Sequence, residues 1–289
     1  MNAQGRRIGF HVSIAGGLCR AAARAVEREC TAFQIFCDNP RGWATSRRPR
    51  EALDALRAAR AAVGLSPLVV HACYLINPCA SDASVFTRTV RRMAHELRTA
   101  AEIGADFYVL HPGSHKGMPP DWAIERATKA ITDATRGAGT SPVVLLENTA
   151  ASHGPGGDFQ RLGSLVAALR DAAPELDLGL AVDSCHAFGA GYDLRNPAGV
   201  DRLLRDVDVA AGLWRVRLLH ANDARDPCGS GRDRHWHIGQ GTVGAAGLRN
   251  LLAHPALVGL PIILETPWQS VQRDLRNIRA LRRLLGGQT

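Results

Sequence analysis

Short apolar runs alternate with longer segments rich in Ala, Leu and Arg along almost the whole 289-residue chain. The apolar runs have the length and near-continuous hydrophobicity of strands that are buried on both faces. We predict eight strands: Arg7–Ser13, Thr31–Cys37, Leu68–Tyr74, Ala105–His111, Pro142–Asn148, Asp177–Asp183, Leu213–His220 and Pro261–Thr266. The predicted helices run from a Gly16-Gly17 turn to Glu29, then over 47–63, 83–103, 121–137, 158–172, 198–211, 244–253 and 269–285.

Eight strands that alternate with eight helices indicate an α/β fold built from parallel βα units. Eight is the number that closes a (β/α)8 TIM barrel, whose active site lies at the C-terminal ends of the strands. No linker or shift in composition divides the chain, so we expect one domain over 1–289. The longest irregular stretch is 221–243, and a loop of that length is usually functional.

Six consecutive predicted strands carry a histidine or a carboxylate at or near their C-terminal end. Because these ends meet at one mouth of a barrel, the side chains are expected to converge there. The residues are His71, His111, Glu147, Asp183, His220 and Glu265.

Asp183 and the loops beyond it carry further candidate ligands. An aspartate at a strand end often caps the following helix, and this is the alternative interpretation of Asp183. His186 follows three residues later, and the long loop contains D-R-H-W-H at 233–237. Asp233 and His235 can reach one ion from an extended loop, although spacing alone does not choose between His235 and His237.

Together these positions bring five histidines and four carboxylates to one barrel mouth. Carboxylates that lie so close raise one another's pKa values unless cations neutralise them. Mixed imidazole and carboxylate ligands suit zinc or manganese. The pattern therefore predicts a multinuclear zinc or manganese site, and such sites specialise in phosphoester hydrolysis.

The composition points to a polyanionic partner. Lys and Arg number 35 against 27 Asp and Glu, which gives a net charge of +8 and a pI near 9.6. A basic balance of this kind favours nucleic acid. The seven cysteines are scattered along the chain, which predicts reduced thiols. The sequence shows no apolar leader and no apolar stretch of 18 residues. From both observations we expect a cytoplasmic protein.

The motifs, taken in order, resemble those of the endonuclease IV family of apurinic/apyrimidinic endonucleases. The resemblance runs nearly end to end and is carried by long motifs in a fixed order. They are G-F-H-V-S-I-A-G-G at 9–17, N-P-R-G-W at 39–43, H-A-C-Y-L-I-N at 71–77, H-P-G-S-H at 111–115, L-E-N-T-A at 146–150, V-D-S-C-H-A-F-G-A-G-Y-D-L-R at 182–195, H-A-N-D-A at 220–224, D-R-H at 233–235 and I-L-E-T at 263–266.

The resemblance implies a barrel with three zinc ions, with manganese an alternative at one position, that cuts DNA 5′ to an abasic site. By matched position, His71, His111 and Glu147 hold the first ion, and Glu147 bridges to the second. Asp183, His220 and Glu265 complete the second, while His186, Asp233 and His235 hold the third; this match selects His235 over His237. Glu147 and Glu265 are the expected catalytic carboxylates.

The same resemblance predicts how the substrate is bound. The family flips the abasic nucleotide out of the duplex, and Arg41, Tyr74 and Leu75 stand at the positions that fill the gap. The expected partner is double-stranded DNA that contains abasic sites, with no membrane and no obligate protein partner implied. His11 and His115 are expected to support ligands or face the substrate, and His237 to be a loop residue.

Two other functional classes remain open from the sequence. Metal-dependent sugar isomerases and epimerases share the barrel and the ligands at strand ends, but they need only one or two ions. The additional trio His186, Asp233 and His235 and the basic charge favour the nuclease. A damage-binding protein without catalysis is the second alternative, and the complete ligand set argues against it.

Overall fold

A computed structural model of the chain describes residues 5–136, 142–151 and 153–286. Its ten strands are β1 (Ile8–His11), β2 (Ala32–Ile35), β3 (Leu68–His71), β4 (Phe107–Leu110), β5 (Val143–Glu147), β6 (Leu178–Asp183), β7 (Val216–His220), β8 (Asp223–Ala224), β9 (His235–Trp236) and β10 (Ile262–Leu264). Eight of them close a parallel barrel in the order β1-β10-β7-β6-β5-β4-β3-β2. The predicted (β/α)8 barrel is therefore confirmed.

Helices return the chain between the barrel strands and cover the outside of the barrel. They are α1 (Cys19–Glu27), α2 (Arg50–Ala62), α3 (Ala83–Glu102), α4 (Pro120–Thr135), α5 (Phe159–Ala172), α6 (Ser184–Gly189), α7 (Pro197–Ala211), α8 (Gly244–Leu252) and α9 (Val271–Leu284). Several begin at a side-chain cap, as at Asp82, Asp158 and Ser270, whose oxygens accept first-turn N–H groups.

The core forms two layers. One lies between the strands and the surrounding helices, where apolar side chains from both pack together. The other fills the barrel interior, and each of seven strands contributes one residue to it: Ala32, Val69, Val109, Leu145, Ala181, Leu218 and Ile263. Because side chains alternate faces along a strand, the residue two positions after each of these also points inward, nearer the C-terminal mouth.

Three short elements were not predicted from the sequence. The loop after β6 contains the six-residue helix α6, and the predicted irregular stretch 221–243 contains the antiparallel pair β8 and β9. The seventh strand also begins later than expected. Leu213–Arg215 forms a 3-10 turn after Gly212, whose φ of 86° is accessible to glycine, so β7 starts at Val216.

The remaining expectations concern the cysteines, the membrane and the chain ends. All seven cysteines are free. Among the helices of the described residues, none is long and apolar enough to cross a bilayer. The expected end of the fourth helix at 137 and the outermost residues of the expected domain lie outside the described residues.

Candidate metal centre

Six of the nine candidate ligands form one polar layer at the C-terminal mouth of the barrel. Each follows an inner-layer apolar residue by two positions, for example Val69 and His71 or Leu145 and Glu147. The period-two alternation of a strand therefore aims all of them into the barrel mouth. The complete set at this level is His71, His111, Glu147, Asp183, His220 and Glu265.

His71, His111 and Glu147 form the first group, and their ligand atoms lie within 4.8 Å of one another. Glu147 Oε2 is 3.4 Å from His71 Nε2 and 3.1 Å from His111 Nε2. The strands β3, β4 and β5 are neighbours in the barrel, which explains why these three side chains meet.

Glu147, Asp183, His220 and Glu265 form the second group, again within 4.8 Å. His220 Nδ1 lies 2.8 Å from Glu147 Oε1 and 3.2 Å from Glu265 Oε2. Glu147 thus belongs to both groups, with one oxygen facing each. This is the arrangement expected of a carboxylate that bridges two ions.

The third candidate trio lies on α6 and at or just before the start of β9, two elements that the sequence did not predict. His186 lies in α6, and β9 begins at His235, while Asp233 precedes it. Asp233 Oδ1 is 3.1 Å from His186 Nε2 and 3.2 Å from His235 Nε2. His237 instead packs in a buried position with its Nδ1 3.1 Å from Asn277 Nδ2, so it lies apart from the trio.

Asp183 combines the two roles that its sequence position left open. Its Oδ1 accepts the N–H of His186 at 2.7 Å and caps α6. Its other oxygen, Oδ2, lies 3.6 Å from His235 Nε2 and takes part in the mouth cluster. The cap therefore fixes both the carboxylate and the histidine that follows it.

The electrostatics of the cluster keep its carboxylates charged. Burial alone raises the pKa of Glu147, but the imidazoles of His220 and His111 hold it well below its usual range. Burial likewise raises the pKa of Glu265, and His220 and His11 outweigh that effect. In turn, burial lowers the pKa of His220, but Glu265 and Glu147 raise it to about 9. The carboxylates are therefore held in the ionised form, which is the form that binds a metal ion.

Several donor atoms of the site lack a hydrogen-bond partner among the other described side chains, as is expected of atoms that bind a metal ion. Glu147 Oε2, His186 Nε2 and His235 Nε2 are enclosed and form no hydrogen bond within the part of the chain that the structure describes. Unpaired buried polar atoms are costly unless a further partner satisfies them. Imidazole nitrogens and carboxylate oxygens are the donors that zinc accepts, so the residues present fit zinc.

Three buried amides that the sequence analysis did not single out hold the candidate ligands. Asn148 accepts the N–H of Asp183 at 2.8 Å, and the Asn148 carbonyl lies 2.9 Å from His186 Nδ1. Asn222 donates to Asp183 Oδ2 at 2.6 Å and accepts the N–H of Glu265 at 2.7 Å. Asn148 directly follows the candidate ligand Glu147, and Asn222 lies two residues after His220. This closeness in sequence is the signal that could have found them.

Gln34 is the third amide and links the first strands to the cluster. Its Nε2 donates to Glu265 Oε1 at 2.6 Å and lies 2.9 Å from His11 Nδ1, while its Oε1 is 2.9 Å from His220 Nε2. Gln34 follows the inner-layer residue Ala32 by two positions, as the ligands follow theirs. A buried polar residue in the apolar run A-F-Q-I was the available signal.

A cavity of about 360 Å³ opens above this layer. Tyr74 stands at its edge, 65% exposed, with its ring 5.0 Å from Phe36 in an edge-on contact. Leu75 is half-buried against the core, and Arg41 is exposed on the loop between β2 and α2. The cavity is lined by His11, Phe36, His71, Tyr74, His111, His186, Asp233, His235, Glu265, Thr266 and Pro267.

Comparison with known proteins identifies the family. A family model described as a xylose isomerase-like TIM barrel matches residues 22–285. A probable endonuclease 4 of Methanoculleus marisnigri is 42% identical over 284 residues, which cover 96% of this chain and 99% of that protein. The chain belongs to the endonuclease IV family. The crystal structure of endonuclease IV from Thermus thermophilus matches it with a TM-score of 0.86 at 37% identity, covering 97% of this chain and 99% of that one.

Membership of the endonuclease IV family confirms the predicted enzyme class, a metal-dependent nuclease. The barrel itself is shared more widely. A D-tagatose 3-epimerase-like protein matches with a TM-score of 0.68 over 96% of this chain and 97% of that one, at 17% identity. At that identity the likeness shows the fold alone, so it does not favour the sugar isomerase or epimerase alternative.

Proposed function

We propose that the chain is a DNA-repair endonuclease that hydrolyses the phosphodiester bond 5′ to an abasic site in double-stranded DNA. Water adds to phosphorus and the 3′-oxygen leaves as a hydroxyl, so the products are a 3′-hydroxyl and a 5′-deoxyribose phosphate. The observation that carries the proposal is the convergence of histidines and carboxylates, several with unpaired buried donor atoms, at one mouth of a basic protein.

The cofactor we propose is three zinc ions, with manganese an alternative at one position. His71, His111 and Glu147 would hold the first, and Glu147 with Asp183, His220 and Glu265 the second. His186, Asp233 and His235 would hold the third. Such ions lower the pKa of water and stabilise the negative charge of a phosphodiester under attack.

The buried side chains of the site have two tasks in this proposal. Glu147 and Glu265, the proposed catalytic carboxylates, concentrate negative charge where the cations bind, and the buried amides Asn148, Asn222 and Gln34 fix their neighbours. Such fixed supporting contacts commonly change metal affinity or activity roughly 10- to 100-fold.

Arg41, Tyr74 and Leu75 would take the place of the missing base in the duplex. Tyr74 is exposed beside the cavity, and a planar ring or guanidinium can replace lost base stacking. Extrusion of a nucleotide costs a few kcal/mol and costs least where the base is already absent. Selectivity for abasic sites then follows from the duplex as well as from the protein.

The decisive test is incision of a duplex oligonucleotide that carries one abasic-site analogue, beside the same duplex without the lesion. The protein is assayed as purified, after prolonged chelation, and after zinc is added back. We expect one cut, 5′ to the lesion, that is lost with chelator and restored by zinc. Metal-loaded protein that leaves the lesion duplex uncut would contradict the proposal.

A further inference from the structure

A buried ion pair on helix α3 connects the two loops that carry the proposed gap-filling side chains. Arg92 and Glu96 lie one helical turn apart, and Arg92 Nε donates to Glu96 Oε1 at 2.7 Å. Arg92 is 2% exposed and Glu96 is fully buried. Neither belongs to the metal-ligand groups at the barrel mouth.

Arg92 holds the loop between β2 and α2. Its Nη1 donates to the carbonyls of Ala44 at 2.6 Å and Gly42 at 3.2 Å, and its Nη2 to that of Asn39 at 3.4 Å. These three carbonyls flank Arg41 in sequence. The planar guanidinium fork suits such multiple contacts, and they fix the backbone from which Arg41 projects.

Glu96 holds the loop between β3 and α3. Its Oε2 accepts the backbone N–H of Cys73 at 3.3 Å and the hydroxyl of Tyr108 at 2.9 Å. Tyr74 and Leu75 follow Cys73 directly. One carboxylate therefore fixes the start of the segment that carries them, and its other oxygen binds Arg92.

Further contacts from α3 reinforce the first of these loops. His95 Nε2 lies 2.9 Å from Asp38 Oδ2, and the Arg88 guanidinium lies 5.2 Å from the ring of Trp43. Arg48 donates to Asp38 Oδ1 at 3.1 Å within the loop. The loop thus rests on α3 through several charged side chains.

Stability alone does not explain an ion pair at this place. A buried ion pair contributes little net stability, because the desolvation of both charges offsets their attraction. What this pair does provide is a fixed spatial relation between two separate loops. Phe36 of the first loop and Tyr74 of the second meet edge to edge at 5.0 Å, so any shift of one loop against the other changes the cavity edge.

We propose that Arg92 and Glu96 are positioning residues that hold the Arg41 loop and the Tyr74-Leu75 loop in the mutual arrangement needed to fill the gap at an abasic site. This inference rests on the proposed function. In this proposal two residues of helix α3 that contact neither DNA nor metal determine how well the two loops recognise the lesion.

The test substitutes Arg92→Met and measures three quantities: KM for the abasic duplex, the inhibition constant of an intact duplex as competitor, and bound metal per chain. We expect KM to rise roughly tenfold, since one stacking contact with a nucleotide is worth about that factor in affinity. The inhibition constant and the metal content should stay at the parent values. A merely structural role would lower the active fraction and hence apparent kcat, and would leave KM unmoved.

Arg6→Met is the matched control. Arg6 likewise donates to three loop carbonyls, those of Leu260 at 2.9 Å, Leu252 at 2.8 Å and Leu257 at 2.6 Å. It precedes β1 and so lies at the opposite end of the barrel from the mouth. Its loss should reduce thermal stability without changing KM.

Arg92→Lys keeps the charge near Glu96 but lacks the fork, so it should raise KM by less than Arg92→Met does. If Arg92→Met does not fold, the comparison of Arg92→Lys with Arg6→Lys decides. Parent-like KM in the Arg92 variants would overturn the inference. A parent protein that fails to prefer abasic over intact duplex would instead refute the proposed function, before any variant is compared.

Discussion

At the scale of single residues, Glu265 is a candidate ligand whose two oxygens contact both an amide and imidazoles. Its Oε1 accepts from Gln34 at 2.6 Å and lies 3.4 Å from His11 Nδ1, while its Oε2 lies 3.2 Å from His220 Nδ1. The position one residue beyond β10 places it at the rim of the cavity as well as in the second ligand group. We therefore expect catalysis to depend on the charge of Glu265 and not only on its shape.

Glu265→Gln keeps the volume and removes the charge. We expect kcat on an abasic duplex to fall at least ~100-fold, because an ion held without its carboxylate stabilises transition-state charge poorly. Binding of the abasic duplex should stay near the parent value, since the proposed DNA contacts lie elsewhere. Single-turnover incision and a binding titration measure the two effects separately.

The control for that variant is Glu125→Gln on the exposed face of α4, which should leave both quantities unchanged. Near-parent turnover in Glu265→Gln would remove this carboxylate from the mechanism. Loss of duplex binding in parallel with kcat would equally contradict the separation of chemistry from DNA contact.

The sequence located most of the polar layer but not all of it. His71, His111, Glu147 and Asp183 were recognisable because each lies at or near the end of a predicted strand, and the structure brings them together. Gln34 was missed because a side-chain amide is not among the usual zinc donors, although it occupies the same layer. Gln34 contacts Glu265 only because the barrel closes and brings their strands together. The sequence of a single strand does not predict such a contact.

At the scale of elements, strands and long helices were predicted because local patterning specifies them. The six residues of α6 are too few for any helical period to be visible, and the helix begins directly after the candidate ligand Asp183, which caps it. The strands β8 and β9 have two residues each and lie far apart in sequence, at Asp223–Ala224 and His235–Trp236. Such short non-local pairing leaves no periodic signal, yet it delivers His235 to the site.

Strand β1 offers a test of how tightly the barrel strands are packed. Gly9 pairs with Ala32 of β2 and Ile263 of β10. A Cβ atom at Gly9 would overlap the carbonyl of Ala32, which is backbone and cannot rotate away. The absence of a side chain at this position is therefore what lets β1 approach β2.

Gly9→Ala should lower the thermal unfolding midpoint of the metal-loaded protein by about 2 to 5 °C, because over-packing of a core costs about 1 to 3 kcal/mol and each kcal/mol shifts the midpoint of a chain of this size by about 2 °C. Differential scanning calorimetry measures it. Gly5→Ala is the control, since nothing lies within 4 Å of a Cβ built there. Equal unfolding midpoints for the two variants would show that β1 accommodates the added methyl group without loss of stability.

At the scale of the whole molecule, the barrel combines a strongly acidic and imidazole-rich mouth with a net charge of +8. The two features are compatible because cations bound at the mouth would reverse its local charge, while arginines elsewhere attract a polyanion over a longer range. Not all arginines near the mouth are available for this. Arg232 and Arg234, on either side of Asp233, both pair with Asp226.

Duplex binding should therefore depend steeply on salt. Each phosphate contact releases counterions and contributes about −0.9 to the slope of log affinity against log salt, so on the order of six contacts gives a slope near −5. The inhibition constant of an intact duplex, measured as competitor of the abasic substrate across a range of salt concentrations, supplies the slope without interference from cleavage.

Arg217→Gln makes a charge control, because Arg217 is exposed at the second residue of β7, away from the strand ends at the mouth. It should leave the slope unchanged. A slope flatter than about −1 would mean that the net charge does not serve phosphate binding, and recognition would then rest on contacts at the lesion alone.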